Sequence, residues 1–452
     1  MPNIIPVYKS KGLKPAVFDM AKDPLNFVVE QNRKYNNFFR ISFYGIKQVF
    51  VTADVEVIKH VLQTKQKNYK KSATYKQLKL ALGNGLVTSE GEFWRRQRRM
   101  AQPAFYKTQL EELYKKMVEV AEKFCVELGQ KSSQETINIS HEMMSLTADI
   151  VLKTLFSTEK GNDKVSMSDN MKFGQTYIMN RARRPYMIPL SYINGQKKKF
   201  DTQMAEFDQG IIDIIEERRG LADKPIDLLT MLLEATDSES GDSMTNRQLR
   251  DELVTIHAAG HETSSNALSW TLYLLAKNPK VLAKLRTEIQ SVLGNQSHPN
   301  FADLRHLPYT KQVIEEGMRL YPPAYAVGRE CIEKDEILGQ TIPAKSFFLL
   351  SIYALHQDPQ YYPNPQKFDP DRFAPELVKQ RPKLAYMPFG AGPRMCIGNH
   401  FALMEMQLIL AMLVQRFDFE LVDDTPVKPQ PLVTLSPKGG IKMRVKKHAL
   451  YA

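Results

Sequence analysis

Of the chain's three cysteines, Cys125, Cys331 and Cys396, only the last sits where its chemistry would be enhanced. Residues 389–398 read FGAGPRMCIG and run directly into an apolar stretch with helical spacing. A sulfur just ahead of a helix faces unpaired backbone N–H groups and the positive end of the helix dipole, and both favour the thiolate. Glycines at 390, 392 and 398 let the backbone turn sharply and approach a flat partner. Phe389 would shield the sulfur, and Arg394 would neutralise a carboxylate on that partner. On the residues alone two other readings stand beside this one: a buried structural cysteine in a tight turn, and a metal site shared with His400. The second is short of ligands, since zinc takes about four from the protein and no other Cys or His cluster lies near in sequence.

A second constellation is Ala259-Gly260-His261-Glu262-Thr263-Ser264, inside a long helical pattern. Gly260 removes a side chain where a ligand must approach, and the Thr263 hydroxyl can take a backbone carbonyl one turn earlier, locally opening the helix. Glu262 adds a carboxylate able to carry protons. A core helix with a satisfied threonine is the plain alternative. A metalloprotease built on His257, His261 and Glu262 is set aside, because its motifs place the glutamate between the histidines. Glu316 and Arg319 share one helix face, a spacing that by itself most often marks a surface ion pair. Trp94 and Arg98 share a face in WRRQRR, where the plain reading is a solvated basic helix.

Together these segments resemble the cytochrome P-450 family. FGAGPRMCIG fits its Phe-x-x-Gly-x-Arg-x-Cys-x-Gly signature at every fixed position. Glu316 and Arg319, followed by Pro-Asp-Arg-Phe at 370–373, are similar to its Glu-Arg-Arg network, with Arg372 as third member. Residues 259–264 resemble its oxygen-activating motif, and the likeness spans about residues 30–445. It implies haem b (iron protoporphyrin IX) as cofactor, with Cys396 as the axial metal ligand and Phe389 and Gly398 around it. Trp94, Arg98, Arg329, His356 and Arg394 are implied toward the haem carboxylates, and Gln97 stands where many members carry histidine. Thr263, Glu262 and Gly260 are implied as the residues that handle dioxygen and its protons. Glu316, Arg319 and Arg372 are expected to support the cysteine loop.

The activity so implied is monooxygenation, with electrons from a separate ferredoxin or flavodoxin-type donor and its reductase, hydroxylating an organic substrate. The expected substrate pocket, Leu78, Leu82, Met187, Ile188, Ala259, Ala326 and Val327, is apolar, which favours a fatty-acid, terpenoid or carotenoid-like molecule. O-demethylation of a methoxylated small molecule, a peroxide-driven peroxygenase and a non-catalytic haem sensor are the alternative readings. Arg95, Arg96 and Arg99 are left free for a basic patch that docks an acidic donor.

The elements that must hold these groups follow from pattern. Residues 38–52, rich in aromatic and β-branched residues around Gly45, predict a hairpin. Apolar recurrence predicts helices over about 108–157 and 203–235, with a break at Gly220–Pro225. Thr245-Asn-Arg-Gln matches a capping box and opens a long helix that Asn278-Pro279 stops. Another runs from Tyr309 to Leu320, ahead of Tyr321-Pro322-Pro323. Residues 324–352 read as short strands, and 356–398 are too long and irregular for a plain connector. The expected fold is mainly α with a minor β portion: a single cytochrome P-450 domain over 1–452, with 1–30 as an N-terminal extension and 31–445 as catalytic core.

At 43% hydrophobic and 25% charged residues, disordered and fibrous classes are excluded. The odd cysteine count fits a reducing compartment better than a disulfide framework. The N-terminus has no apolar core of signal-peptide length, so a cytoplasmic protein without a membrane anchor is expected. The net charge of +12 gathers in local clusters without the aromatic interleaving of RNA binders, so nucleic acid is not expected as a partner.

Overall fold

The computed structural model describes residues 5–8, 19–20, 22–43, 47–131, 133–158, 173–174, 177 and 188–448. β1 (Val7–Tyr8) lies parallel to β2 (Phe38–Phe43), and α1 (Pro24–Lys34) precedes β2, capped by the Asp23 carboxylate. A division at residue 31 therefore falls inside α1, and residues ahead of it belong to the sheet. β2 and β3 (Lys47–Thr52) form the expected hairpin, with Phe38 opposite Thr52.

After β4 (Tyr69–Lys71) come α2 (Tyr75–Leu82), α3 (Gly91–Ala101) and α4 (Lys107–Gln130). β5 (Ile137–Asn138) leads into α5 (Ile139–Phe156), and α6 (Gln196–Gly220) into α7 (Asn246–Lys277) and α8 (Pro308–Leu320). β6 (Ala326–Cys331) and β7 (Phe347–Ser351) return the chain to the sheet. α9 (Asn399–Arg416), β8 (Phe417–Leu421) and β9 (Lys442–Lys447) complete it. The main sheet runs β1-β2-β3-β7-β6-β4, while β8, β9 and β5 form a smaller one.

Two helices fix the interior. α7 begins at the expected capping box: the Thr245 side chain accepts from the Gln248 N–H while Gln248 accepts from the Thr245 N–H. α9 is apolar on nearly every side, with an unbroken buried run from Met404 to Gln415, so it lies inside the helical core. One apolar cluster joins these helices to α4, α5 and α8, and a second lies against the main sheet. The cysteine loop enters α9 between them.

Candidate active site

A cavity of about 330 Å³, partly open to solvent, lies between α7, the cysteine loop and the β4–β6 edge of the sheet. That volume lies within the roughly 300–1,000 Å³ of a ligand or cofactor site, and its lining is mainly apolar with a few convergent polar groups. Cys396 stands on its wall, exposed to that space. The loop closes through Cys396 N–H to the Phe389 carbonyl at 2.9 Å and Met395 N–H to the Gly392 carbonyl at 3.0 Å. Gly392 has φ +71°, and a Cβ there would collide with the Leu62 carbonyl oxygen, so only glycine fits. Burial pushes the thiol pKa up, opposed by the Gly398 N–H and the Arg98 guanidinium. Those two opposing groups are the ones that would hold a thiolate once a metal replaced its proton.

α7 supplies another wall. Ala259, Gly260 and Thr263 line the cavity, and the Thr263 hydroxyl donates to the Ala259 carbonyl at 2.7 Å, the contact its spacing implied, but the expected local opening is not seen: α7 runs unbroken from Asn246 to Lys277. Glu262 is not on the wall. Its carboxylate accepts from the Thr434 hydroxyl at 2.6 Å, which in turn accepts from the Asn266 amide at 2.9 Å, so it stands behind the threonine.

Cationic groups gather at one side. Lys71, Arg98, Arg329 and Arg394 all line the cavity. Lys71 and Arg329 are directly opposed across β4 and β6, an arrangement that is destabilising for like charges without an anion between them. Burial, with Arg394 and Arg329 nearby, pushes the Lys71 pKa down to about 7. Its Nζ donates to the Leu86 and Ser89 carbonyls, each at 2.9 Å. Arg394 pairs with Glu90 and donates to the Ser89 carbonyl at 3.1 Å, and Arg98 donates to the Met395 carbonyl at 3.0 Å. Lys71 escaped the sequence reading because it closes a lysine-rich run, Lys65 to Lys71, that looks like surface charge.

Several expected residues lie elsewhere. The Trp94 ring packs on the Arg394 guanidinium, 4.3 Å from it, and is off the cavity wall. His356 is fully buried, accepts from the Met387 N–H at 3.1 Å, and is held down to about pKa 3 by burial and by Arg319. A neutral ring so placed has no charge to offer a carboxylate. Gln97 is buried against Glu252, at 3.4 Å. Of the substrate residues, Ala259 and Val327 line the cavity, while Leu78 and Leu82 pack in the helical core and Ala326 pairs with Ser351. Met187 lies outside the described residues, as does the side chain of Ile188. The basic patch is also corrected. Arg95 pairs with Glu92, Arg96 with Asp242 at 3.5 Å, and Arg99 with Asp237 at 2.8 Å and Glu239 at 3.0 Å, so none is free.

Beneath the loop, Glu316 and Arg319 are not a surface pair. Both are wholly buried and joined by two hydrogen bonds at 2.7 and 2.8 Å, and Arg372 donates to Glu316 at 3.1 Å. Arg319 also donates to the His356 and Pro365 carbonyls, each at 2.8 Å, and Glu316 accepts from the Asp369 N–H. The irregular 356–398 segment is thus fastened to α8.

An apolar cavity with a sulfur donor on one wall and a cationic rim at its side fits haem, whose iron takes a thiolate and whose edge carries carboxylates. The molecule is a haem b monooxygenase, an oxidoreductase that incorporates oxygen from dioxygen. A family model described as Cytochrome P450 matches residues 15–444, and the chain belongs to the cytochrome P450 family. It is 33% identical to cyclooctatin synthase of Streptomyces melanosporofaciens, over 92% of this chain and 90% of that one. It is 30% identical to Protein LUTEIN DEFICIENT 5, chloroplastic, of Arabidopsis thaliana, over 91% and 72%. Cyclooctat-9-en-7-ol 5-monooxygenase of Streptomyces melanosporofaciens is 32% identical, over 84% and 82%. The crystal structure of the cytochrome P450DA heme domain superposes with a TM-score of 0.89 at 25% identity, covering 98% of both chains. Members of the family work with a redox partner, dioxygen and a substrate. Among the described residues no helix is long and apolar enough to cross a membrane.

Proposed function

We propose that the chain hydroxylates an apolar molecule of fatty-acid, terpenoid or carotenoid type, using haem held through the Cys396 thiolate. The observation that carries this reading is that Cys396, Thr263 and the cationic rim line one cavity. Lys71, Arg98, Arg329 and Arg394 hold the haem carboxylates, and Phe389 and Gly398 flank the sulfur. Bound there, haem supplies dioxygen activation and the oxidation of a C–H bond. The residues supply the rest. Gly260 leaves space, and the Thr263 hydroxyl presents a donor to that space. Glu262, released from Thr434, carries protons toward it. Relatives named for cyclooctatin and for lutein support an apolar substrate class, as does a lining that includes Leu86, Val87, Val151, Ile256 and Val327.

Electrons come from a ferredoxin or flavodoxin with its reductase, residues 1–452 act as one catalytic domain, and the protein works in the cytoplasm. The reduced carbon monoxide adduct is expected to absorb at ~450 nm, the mark of thiolate ligation, and Cys396→Ala to lose that band along with substrate turnover. A variant that keeps both defeats the proposal.

A further inference from the structure

Glu262, Asn266 and Trp270 are spaced by four on α7, so they share one face. All three reach the same short hairpin, in which Pro429–Pro431 pairs antiparallel with Leu435–Pro437. The Asn266 amide donates to the Thr434 hydroxyl at 2.9 Å, and that hydroxyl donates to the Glu262 carboxyl at 2.6 Å. The Trp270 ring N–H donates to the Leu435 carbonyl at 3.2 Å. A hydroxyl has one proton to give, and with Asn266 donating into it, Thr434 commits that proton to Glu262. The turn itself is closed by Leu432 N–H to the Thr434 carbonyl at 3.0 Å.

The same turn is tied to the cavity wall. Leu435 N–H donates to the Pro323 carbonyl at 3.0 Å, and the Tyr325 hydroxyl to the Leu432 carbonyl at 2.8 Å. Pro323 and Ala324 line the cavity, as do Thr263 and Ala267 on α7. Tyr321 stacks on Trp270 with ring centres 3.8 Å apart, which pins the start of this wall segment to α7. A substrate pressing on Pro323 and Ala324 therefore acts on residues 432–435, and through Thr434 on Glu262.

We propose that Thr434 is a positioning residue through which the cavity wall at 323–325 governs Glu262. While the cavity is empty, the Thr434 hydroxyl restrains the carboxyl. A substrate seated against Pro323 and Ala324 loosens that restraint, and the carboxyl then passes a proton to the Thr263 hydroxyl, which gives up its own toward the cavity. Glu262 regains a proton from solvent, so proton supply is tied to the presence of substrate. This rests on the reading that Cys396 holds haem and that Glu262 and Thr263 handle protons.

The test needs no donor protein. Haem-loaded protein is reduced with dithionite, separated from excess reductant and mixed with air-saturated buffer, and its return to the ferric Soret spectrum is timed. That return passes one electron to dioxygen, which leaves with a proton as the hydroperoxyl radical, so the rate follows proton supply. Without substrate, Thr434→Val, which keeps the shape and loses the hydroxyl, should return about 10-fold faster than the parent, matching the loss of one hydrogen bond. Tyr325→Phe, which unties the turn from the wall, should also quicken it, and Thr434→Ser should match the parent. Each gain should vanish in a Glu262→Gln background, as coupling through one group requires. The carbon–oxygen stretch of the reduced carbon monoxide adduct, read in the infrared, should shift with Thr434→Val and Tyr325→Phe, and should not respond to either in the Glu262→Gln background. A gain that persists with Glu262→Gln marks a loosened pocket and overturns the proposal, as does a Thr434→Val or Tyr325→Phe protein with the parent's rate and stretch. A parent that lacks the ~450 nm band of thiolate ligation overturns the cysteine reading and this inference with it. A normal band with unchanged variants overturns this inference alone.

Discussion

Glu405 is wholly buried in α9, and neither carboxyl oxygen completes a hydrogen bond, with the Ser264 hydroxyl nearest. Burial pushes its pKa up to about 8 from the ordinary 4.5, so the folded protein keeps this group protonated at neutral pH. A raised acid pKa means that the folded state binds the extra proton, and stability is lost as pH rises from 4.5 through 8. Glu405→Gln mimics the protonated form and should remove that slope, which has an upper bound of about 5 kcal/mol; denaturation midpoints at pH 5 and pH 9 measure it. A slope unchanged by the substitution refutes the assignment. Lys71 is the opposite case. Its amine is held low by burial and by Arg394, and carboxylates arriving between it and Arg329 would relieve that strain. Lys71→Met should lose haem to excess apomyoglobin about 10-fold faster, matching one charged hydrogen bond. Sequence gave no sign of either behaviour: Glu405 shows there only as a break in an apolar run, and Lys71 only as one more lysine.

At the scale of elements, reading from sequence worked where the cause is local. The Thr245 capping box, the stop at Asn278-Pro279 and the 38–52 hairpin each depend on neighbours a few residues apart, and each stands where expected. The cysteine loop was legible for the same reason. What escaped depends on distant partners. Arg99 looks free until Asp237 and Glu239 arrive from another part of the chain, and His356 looks like a cation until Arg319 and Met387 enclose it. The Glu316–Arg319 pair is the clearest instance, because spacing alone cannot tell a solvated pair from a buried one. Removing one member leaves the other charge buried. Arg319→Ala should therefore cost about 3–5 kcal/mol in urea unfolding and lower the fraction of protein that retains haem. Arg319→Lys should rescue little, since an ammonium cannot reach Glu316 and the His356 and Pro365 carbonyls together.

Over the whole molecule the net charge is +12, yet the arginines of α3 are largely neutralised by their acidic partners. If the redox partner is acidic, as proposed, its attraction would come from the overall field more than from that one patch. Its reduction of the haem should slow about 10-fold or more between low and high salt in stopped-flow measurements, as steered association does. A rate indifferent to salt argues for a donor that docks by apolar contact. The site is also assembled from very remote stretches: Lys71 faces Arg329, Glu262 is held by Thr434, and β5 near residue 137 pairs with β9 near 443. Pairings so distant close late and slowly. A chain cut ahead of Lys442 would leave β5 and β8 without the strand that joins them, so such a truncation is expected to yield less haem-loaded protein than the parent, read from Soret absorbance per mole of chain.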